Sequence, residues 1–279
     1  MEQILHLYVL ASGSRGNAAV VEAPEGSILI DCGLSLRELR ARATSVGCDL
    51  SRIEAVLVTH EHSDHGSGLT VLSHNLDVPF ITTAGTASGK RYLSGVPFVL
   101  VDHDCCLDIC GMTVQMFPTS HDVNDPMCFR FELRAEATSD GEGELLDAIG
   151  WMTDTGYVTD EAREALRGVR ILGLESNHDA KMLRLGPYPP FLKARIASKR
   201  GHLSNDQAAE ALAELVTKDT ETIVALHLSE ENNRPSLAVR RLAQALDAEQ
   251  ANTTFTEART PDGRVHICAA AQDRALKVW

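Results

Sequence analysis

No apolar run in the 279 residues approaches the roughly 18 needed to cross a membrane as a helix. The N-terminus has no charged segment leading into an apolar one, so a cytoplasmic location is the expectation. Internal repeats and low-complexity linkers are missing as well. The seven cysteines are an odd number scattered along a mid-sized chain, which argues against a disulfide framework. Only Cys105, Cys106 and Cys110 cluster, and they alternate with Leu107 and Ile109 as in a strand. Free cysteine commonly behaves as a small buried hydrophobe, so no metal site is expected there. Positive charge is also in deficit: 26 Lys and Arg face 39 Asp and Glu, for a net charge of −13. Proteins that coat nucleic acid are usually basic. An acidic chain can still act on nucleic acid through a local basic groove, or through bound cations that the formal count omits.

What remains is ordinary globular material, 44% hydrophobic and 23% charged, long enough to bury a substantial core. We expect one domain over residues 1–279. Within it a β-rich half covers about 1–135 and a second half about 147–279, with an exposed polar loop at about 136–146 between them. Strands are expected at Ile4–Leu10, Ala18–Glu22, Ser27–Ile30 and Glu54–Thr59, with a helix from Ser35 to about Val46 opened by a Ser35/Glu38 capping box. Further strands are read at Phe80–Thr82, Phe98–Val101, Thr113–Phe117, Phe129–Leu133, Ala148–Thr153, Val169–Leu174, Thr222–Leu226 and, last in the chain, Val265–Ala269. Helices are read at Gly66–His74, Thr86–Leu93, Asp160–Leu166, Asn205–Thr217 and Pro235–Ala245. Asp31, His60, His121, Asp154, Glu175 and His227 each fall at or just past a strand's C-terminal end, where polar side chains can converge on one rim.

His60, His62, Asp64 and His65 crowd into six residues. A solvated polar turn is the bland alternative, but this density of imidazole and carboxylate suits a metal. The segment departs from helical spacing, so an irregular turn before a helix near Gly66 is expected to aim successive side chains at two neighbouring points. Imidazole and carboxylate ligands suit Zn²⁺, Mn²⁺ or Fe²⁺, and the lack of cysteine among them argues for a catalytic site.

The run Leu57-Val58-Thr59-His60-Glu61-His62-Ser63-Asp64-His65-Gly66 resembles the signature of the metallo-β-lactamase superfamily. Its other landmarks follow in order: Asp31 in Leu29-Ile30-Asp31-Cys32-Gly33, His121 in Thr119-Ser120-His121-Asp122, Asp154 in Thr153-Asp154-Thr155-Gly156, and His227. The stretches Leu10–Asn17, Glu175–Asp179, Gly201–Asn205 and His227–Asn233 are similar to the YycJ/WalJ group of that superfamily. The resemblance implies a four-layer αββα sandwich with two divalent ions on one edge. His60, His62 and His121 would hold one ion, and Asp64, His65 and His227 the other. Asp154 would bridge them and Asp31 would orient the turn that bears the ligands. Two such ions share a water acidic enough to give hydroxide near neutral pH, and they neutralise charge on a phosphoryl group.

Asp64, Asp31 and His202 are the residues expected to serve catalysis, His202 by contacting the scissile phosphate or protonating the leaving oxygen. The alternative for His202 is a helix-entry residue beside the Ser204 cap. Ser12, Ser14, Asn17, His178, His202 and Asn205 are candidates for substrate contact. A tight hairpin turn explains the Ser12–Asn17 glycines equally well, and His178 could simply pack behind the site. Lys193, Arg195, Lys199 and Arg200 put positive charge just before His202, consistent with an anionic substrate, although a solvated helix face is common. The expected activity is phosphodiester hydrolysis with nucleic acid as partner, most plausibly DNA exonuclease action as the resemblance implies. Small-molecule phosphodiester hydrolysis, as in the PhnP group, and thioester or lactam hydrolysis are the alternatives, because one fold hosts all three.

Overall fold

The computed structural model describes residues 4–135 and 143–278. Strands β1 (His6–Ala11), β2 (Ala18–Glu22) and β3 (Ser27–Ile30) form an antiparallel meander. Helix α1 (Leu36–Val46) crosses to β4 (Ile53–Leu57), which pairs parallel to β3. Ser35 caps α1 by accepting the Glu38 N–H and donating its hydroxyl to the Glu38 carboxylate, and Gly47 ends it in the left-handed conformation. The turns α2 (Ser63–Gly66) and α3 (Leu69–Ser73) lead to β5 (Phe80–Thr82), and α4 (Ala84–Gly89) leads to β6 (Phe98–Leu100).

The chain then changes sheet. β7 (Cys106–Ile109), β8 (Met112–Pro118), β9 (Met127–Arg134) and β10 (Leu145–Met152) run antiparallel. Helix α5 (Asp160–Leu166) crosses to β11 (Ile171–Glu175), parallel to β10. Helices α6 (Ala180–Leu185), α7 (Pro190–Ile196) and α8 (Asn205–Leu215) precede β12 (Thr222–Leu226). Helix α9 (Pro235–Ala245), β13 (Glu249–Gln250), β14 (Glu257–Arg259) and β15 (His266–Ala269) complete this sheet, and β16 (Leu276–Val278) returns to pair with β1. Among the described residues the sheet orders are β16-β1-β2-β3-β4-β5-β6 and β13-β14-β15-β12-β11-β10-β9-β8-β7.

The residues of each strand alternate between two cores. Leu7, Val9, Val21, Ile28 and Leu57 of the first sheet meet Val114, Phe129, Phe131, Ile149 and Trp151 of the second. The opposite face of the first sheet packs Leu10, Val20, Leu29 and Val56 on Leu39 of α1 and Leu69 of α3. The opposite face of the second packs Met152, Leu172 and Leu174 on Ala162 of α5, Leu212 of α8 and Leu242 of α9. Two strand periods and one helical stripe thus give the expected αββα sandwich, folded as a single domain.

Several expectations need correction. A helical turn starts at Ser63, inside the histidine motif, and Gly68 separates it from α3, so no single helix runs from Gly66 to His74. Helix α4 stops at Gly89 and a 3₁₀ turn follows over Arg91–Leu93. Val265–Ala269 is not the last strand, since β16 follows it. Of the loop expected at 136–146, residues 136–142 lie outside the described residues, and Leu145 already belongs to β10.

One buried ion pair ties the sheets together at the end away from the histidine motif. The Asp147 carboxylate accepts from the Arg170 guanidinium at 2.8 and 2.7 Å and from the Leu5 backbone N–H at 2.7 Å, while Arg170 also donates to Leu5 O at 2.7 Å. Removing the carboxylate strands the Leu5 amide and leaves the part-buried guanidinium only Glu221 at 3.8 Å as an ion-pair partner, so Asp147→Ala is expected to cost about 1–3 kcal/mol in urea unfolding. A loss below about 1 kcal/mol would show that the pair contributes no more than a surface salt bridge.

Candidate metal centre and active site

Five strand ends deliver the site, those of β3, β4, β8, β10 and β12, with His121 following β8. Beyond β3, β10 and β12 the backbone turns left-handed at Asp31 (φ 57°), Asp154 (φ 55°) and His227 (φ 52°), which folds each side chain back over the rim. Beyond β4 the chain runs through Thr59 and His60 into α2, whose single turn presents His62, Asp64 and His65. Gly33 makes that turn possible: a Cβ there would come within 1.7 Å of Asp64 O. Asn17 N–H donates to the same Asp64 carbonyl at 2.7 Å, and Gly33 N–H donates to Asn17 O at 2.9 Å.

Hydrogen bonds fix the tautomer of each imidazole. Asp31 Oδ1 accepts the Thr59 N–H at 2.8 Å, and Oδ2 accepts the Thr59 hydroxyl at 2.9 Å and His65 Nδ1–H at 2.7 Å. The Thr59 proton is therefore committed to Asp31, so its oxygen accepts from His60 Nδ1–H at 3.0 Å. His121 Nδ1–H donates to Gly201 O at 3.0 Å, because a carbonyl can only accept. His60 and His121 are each left with a bare Nε2, while His65 turns its Nε2 toward Asp154 at 3.1 Å. Burial lowers the pKa of His60 well below the usual range, that of His121 below it, and that of His62 to about 4, keeping these rings neutral at pH 7. Burial also disfavours charge on His65, but the carboxylates of Asp154, Asp31 and Asp64 outweigh it and hold that pKa well above the usual value.

The bare nitrogens converge. His62 Nδ1 stands 3.1 Å from His60 Nε2 and 3.2 Å from His121 Nε2. Two nitrogens bound to a tetrahedral ion at ~2.0–2.1 Å stand roughly 3.3 Å apart, so this spacing suits a cation better than hydrogen bonding between lone pairs. Asp64, His65 and His227 form a second group of donor atoms within 4.8 Å of one another. Asp154 reaches both sides: Oδ2 lies 3.1 Å from His65 Nε2 and 3.5 Å from His227 Nδ1, and Oδ1 lies 3.8 Å from His121 Nε2. That Oδ2 is buried with only ring nitrogens facing it, a setting in which a carboxylate stays charged only beside a cation. The residues present therefore fit a divalent metal.

The clusters open into a cavity of about 320 Å³ lined by Ser14, His62, Asp64, His121, Asp154, His202 and His227, among others. His202 stacks on His227 with ring centroids 5.4 Å apart, and its Nδ1 lies 2.7 Å from Glu175 Oε1. Burial opposes a charge on His202, yet the Glu175 carboxylate prevails and its pKa is pushed up to about 9. Glu175, fully buried at the end of β11, is fixed by Oε2, which accepts the Thr155 and Leu203 N–H groups at 2.9 and 3.2 Å. Its contact with His202 is a feature the sequence reading missed. The strand-end position was visible, but nothing local links it to a histidine 27 residues on.

Of the residues expected to touch substrate, Ser14 and His202 line the cavity, whereas Ser12, Asn17, His178 and Asn205 are buried behind it. Ser12 Oγ accepts the His227 N–H at 2.7 Å, which holds that left-handed turn. Asn17 Oδ1 accepts the Gly13 N–H at 2.8 Å, and Nδ2 lies 3.0 Å from His65 Nε2 and 3.4 Å from Asp64 Oδ2. Asn205 Oδ1 accepts the Ser176 hydroxyl at 2.8 Å and Nδ2 donates to Asn233 Oδ1 at 3.0 Å. His178 O accepts the Asn205 N–H at 2.8 Å, and burial pushes the imidazole pKa down to about 4. His6, His74, His103 and His266 belong to none of the donor groups found among the described residues, nor do Cys105, Cys106 and Cys110.

Asp31 touches three groups that shape the site, so Asp31→Ala is expected to weaken metal binding by about 10–100-fold, read by chelator competition. An unchanged affinity would mean that Thr59 alone orients His60 and His65.

Comparisons place this geometry among known proteins. Residues 27–228 match the family model described as the beta-lactamase superfamily domain. The chain is 36% identical over 250 residues to exodeoxyribonuclease YycJ of Bacillus anthracis, covering 87% of this chain and 89% of that one. It is 33% identical over 247 residues to exodeoxyribonuclease WalJ of Streptococcus pneumoniae, covering 85% and 88%. Among solved structures, the metallo-beta-lactamase fold protein YhfI of Bacillus subtilis superposes with a TM-score of 0.67 at 13% identity, over 98% of this chain and 99% of that one. A diphosphatase of the PhnP family superposes with a TM-score of 0.62 at 18% identity, over 98% and 97%, a likeness of fold alone. With that family model matched over residues 27–228 and a relative 36% identical over 87% of its length, the chain belongs to the β-lactamase superfamily of metallo-hydrolases.

Proposed function

We propose that this protein is a divalent-metal hydrolase of phosphodiester bonds whose substrate is DNA, degraded from an end. The observation that carries the chemistry is Asp154, a buried carboxylate whose oxygens face His65 and His227 on one side and His121 on the other. This arrangement supports two ions, one among His60, His62 and His121 and one among Asp64, His65 and His227. Imidazole and carboxylate donors suit Zn²⁺ or Mn²⁺, with Fe²⁺ an alternative. Such ions, when bound, supply Lewis acidity toward the phosphoryl group and activate water for attack.

The chain's own residues do the rest. Asp31 and Thr59 engage Nδ1 of His60 and His65, which turns Nε2 of each toward the metal centre. Glu175 holds His202 charged, with Nδ1 engaged, so that Nε2–H is free to donate to a phosphate oxygen or to protonate the leaving oxygen. Ser14 at the cavity wall offers a hydroxyl to the same phosphate. The choice of DNA rests on the two relatives named exodeoxyribonucleases, matched over more than four-fifths of both chains. The seven free cysteines suit a reducing compartment, which favours the cytoplasm. The modest cavity favours one competing reading, a small phosphodiester as substrate.

Incubation with Mn²⁺ and end-labelled DNA is expected to release mononucleotides, and EDTA to abolish the release. Hydrolysis of bis-p-nitrophenyl phosphate with DNA left intact would favour the small-molecule reading instead. His202→Ala and Glu175→Gln are each expected to keep the full metal complement while kcat falls, by about 10²–10⁴-fold for His202→Ala. Loss of metal in either variant would assign that residue to the metal centre rather than to proton transfer.

A further inference from the structure

Between Lys181 and Arg200 the chain carries six basic residues (Lys181, Arg184, Lys193, Arg195, Lys199 and Arg200) and no acidic one. Taking these six from the 26 Lys and Arg of the whole chain leaves 20 against 39 Asp and Glu, a net of −19 for the remainder. This segment forms α6, α7 and the turn into His202, and it is the basic rim of an otherwise acidic molecule. Among the described residues only Arg195 of the six is ion-paired, to Asp122. The segment is anchored at the catalytic end. Arg200 Nε donates to His121 O at 3.1 Å, His202 N–H donates to Ile196 O at 2.9 Å, and Ser120 Oγ donates to Lys199 O at 2.8 Å.

The same segment carries the most exposed large hydrophobic side chain of the described residues, Phe191, at 75%. The face of α7 bearing Leu192, Arg195 and Ile196, together with Tyr188, forms one wall of the catalytic cavity. Phe191 lies one turn before Arg195 on the same side of the helix, with Cβ atoms about 5–6 Å apart. An aromatic ring is thus held in solvent one turn from Arg195, beside the helix face that lines the cavity, where exposure would otherwise be a liability.

We propose that α6 and α7 form the platform on which the substrate strand leaves the active site, with Phe191 stacking an unpaired base. The inference rests on the DNA reading above and adds to it a strand state and a residue. A cavity of about 320 Å³ is at the lower end of the ~300–1,000 Å³ of small-ligand pockets and takes in one nucleotide, not a base pair. An opening of this size suits a strand that is single where it enters. Phosphates then follow the basic residues while a base meets the ring, the combination by which single strands are held without sequence preference.

The test is binding of a short phosphorothioate-linked single strand, carrying 2-aminopurine near its end, to the metal-loaded protein. The wild type is expected to bind it with an affinity that falls steeply with salt and to quench the 2-aminopurine. Phe191→Ala, at a site exposed enough to leave the fold intact, is expected to bind about five- to hundredfold more weakly and without quenching. Phe191→Trp should restore both. Equal affinity and equal quenching in wild type and Phe191→Ala would overturn the proposal, as would tighter binding of a blunt duplex untouched by the substitution. Failure of the DNA reading registers separately: no mononucleotide would leave an unmodified strand even where binding and quenching are intact.

Discussion

The site depends on three left-handed turns at strand ends, at Asp31, Asp154 and His227. Asp and His accept this conformation more readily than β-branched residues do, but it persists only where the surroundings over-determine it. Here they do. Asp31 N–H is bonded to Leu57 O and its carboxylate to Thr59 and His65, His227 N–H is bonded to Ser12 Oγ, and Thr155 N–H, next to Asp154, is bonded to Glu175. One of the three turns leaves the first sheet and two leave the second. The spacing of the donor groups is therefore set by the core between the sheets, from Leu7 and Ile28 to Phe129 and Trp151, rather than by any single loop.

That geometry concentrates charge in a way that decides protonation. Asp31, Asp154 and Glu175 are all buried beside imidazoles, yet the imidazoles respond differently. Those that pack mainly against other rings, His60 and His62, are held neutral, which a metal ligand requires. Those that face carboxylates, His65 and His202, are held charged when no cation is near. For His65 the distinction is conditional: a divalent ion facing Asp64 and Asp154 would take the place of its proton. His202 has the Glu175 carboxylate at 2.7 Å, nearer than the 3.6 Å to Asp154, so its charge is paired first with Glu175. One end of the cavity is built for metals and the other for a proton.

The parts of this arrangement that were legible in the sequence are those written in consecutive residues. The His60–His65 cluster, the Ser35/Glu38 cap and the strand-end positions of Asp31, Asp154 and His227 follow from local pattern, and the structure brings the histidines and aspartates together. Long-range hydrogen bonding was not legible. Ser12, Asn17, His178 and Asn205 look from their polarity like groups that would face substrate. In the fold they are buried, and the side chains of Ser12, Asn17 and Asn205 are used on backbone and neighbouring side chains, as buried polar groups commonly are, while His178 packs with its Nδ1 unbonded. Helices α6 and α7 escaped notice because each is short and Pro187, Pro189 and Pro190 interrupt the stretch that holds them. No window there is long enough to show a 3.6-residue period.

The overall acidity, which at first counts against a polyanionic substrate, takes on a different meaning once charge is located. A body of net −19 repels phosphate on balance, while the segment from Lys181 to Arg200 carries six basic residues and no acidic one. Repulsion over the rest of the surface penalises non-specific coating of a duplex, which for DNA is mostly a phosphate-neutralisation effect. Attraction confined to one rim favours approach along a single line, and focusing of this kind acts on encounter rate and orientation more than on final affinity. An enzyme that must find an end gains nothing from gripping the middle of its substrate. The deficit of positive charge is therefore compatible with nucleic-acid chemistry, provided the few available cations stand where they do, at the mouth of the cavity.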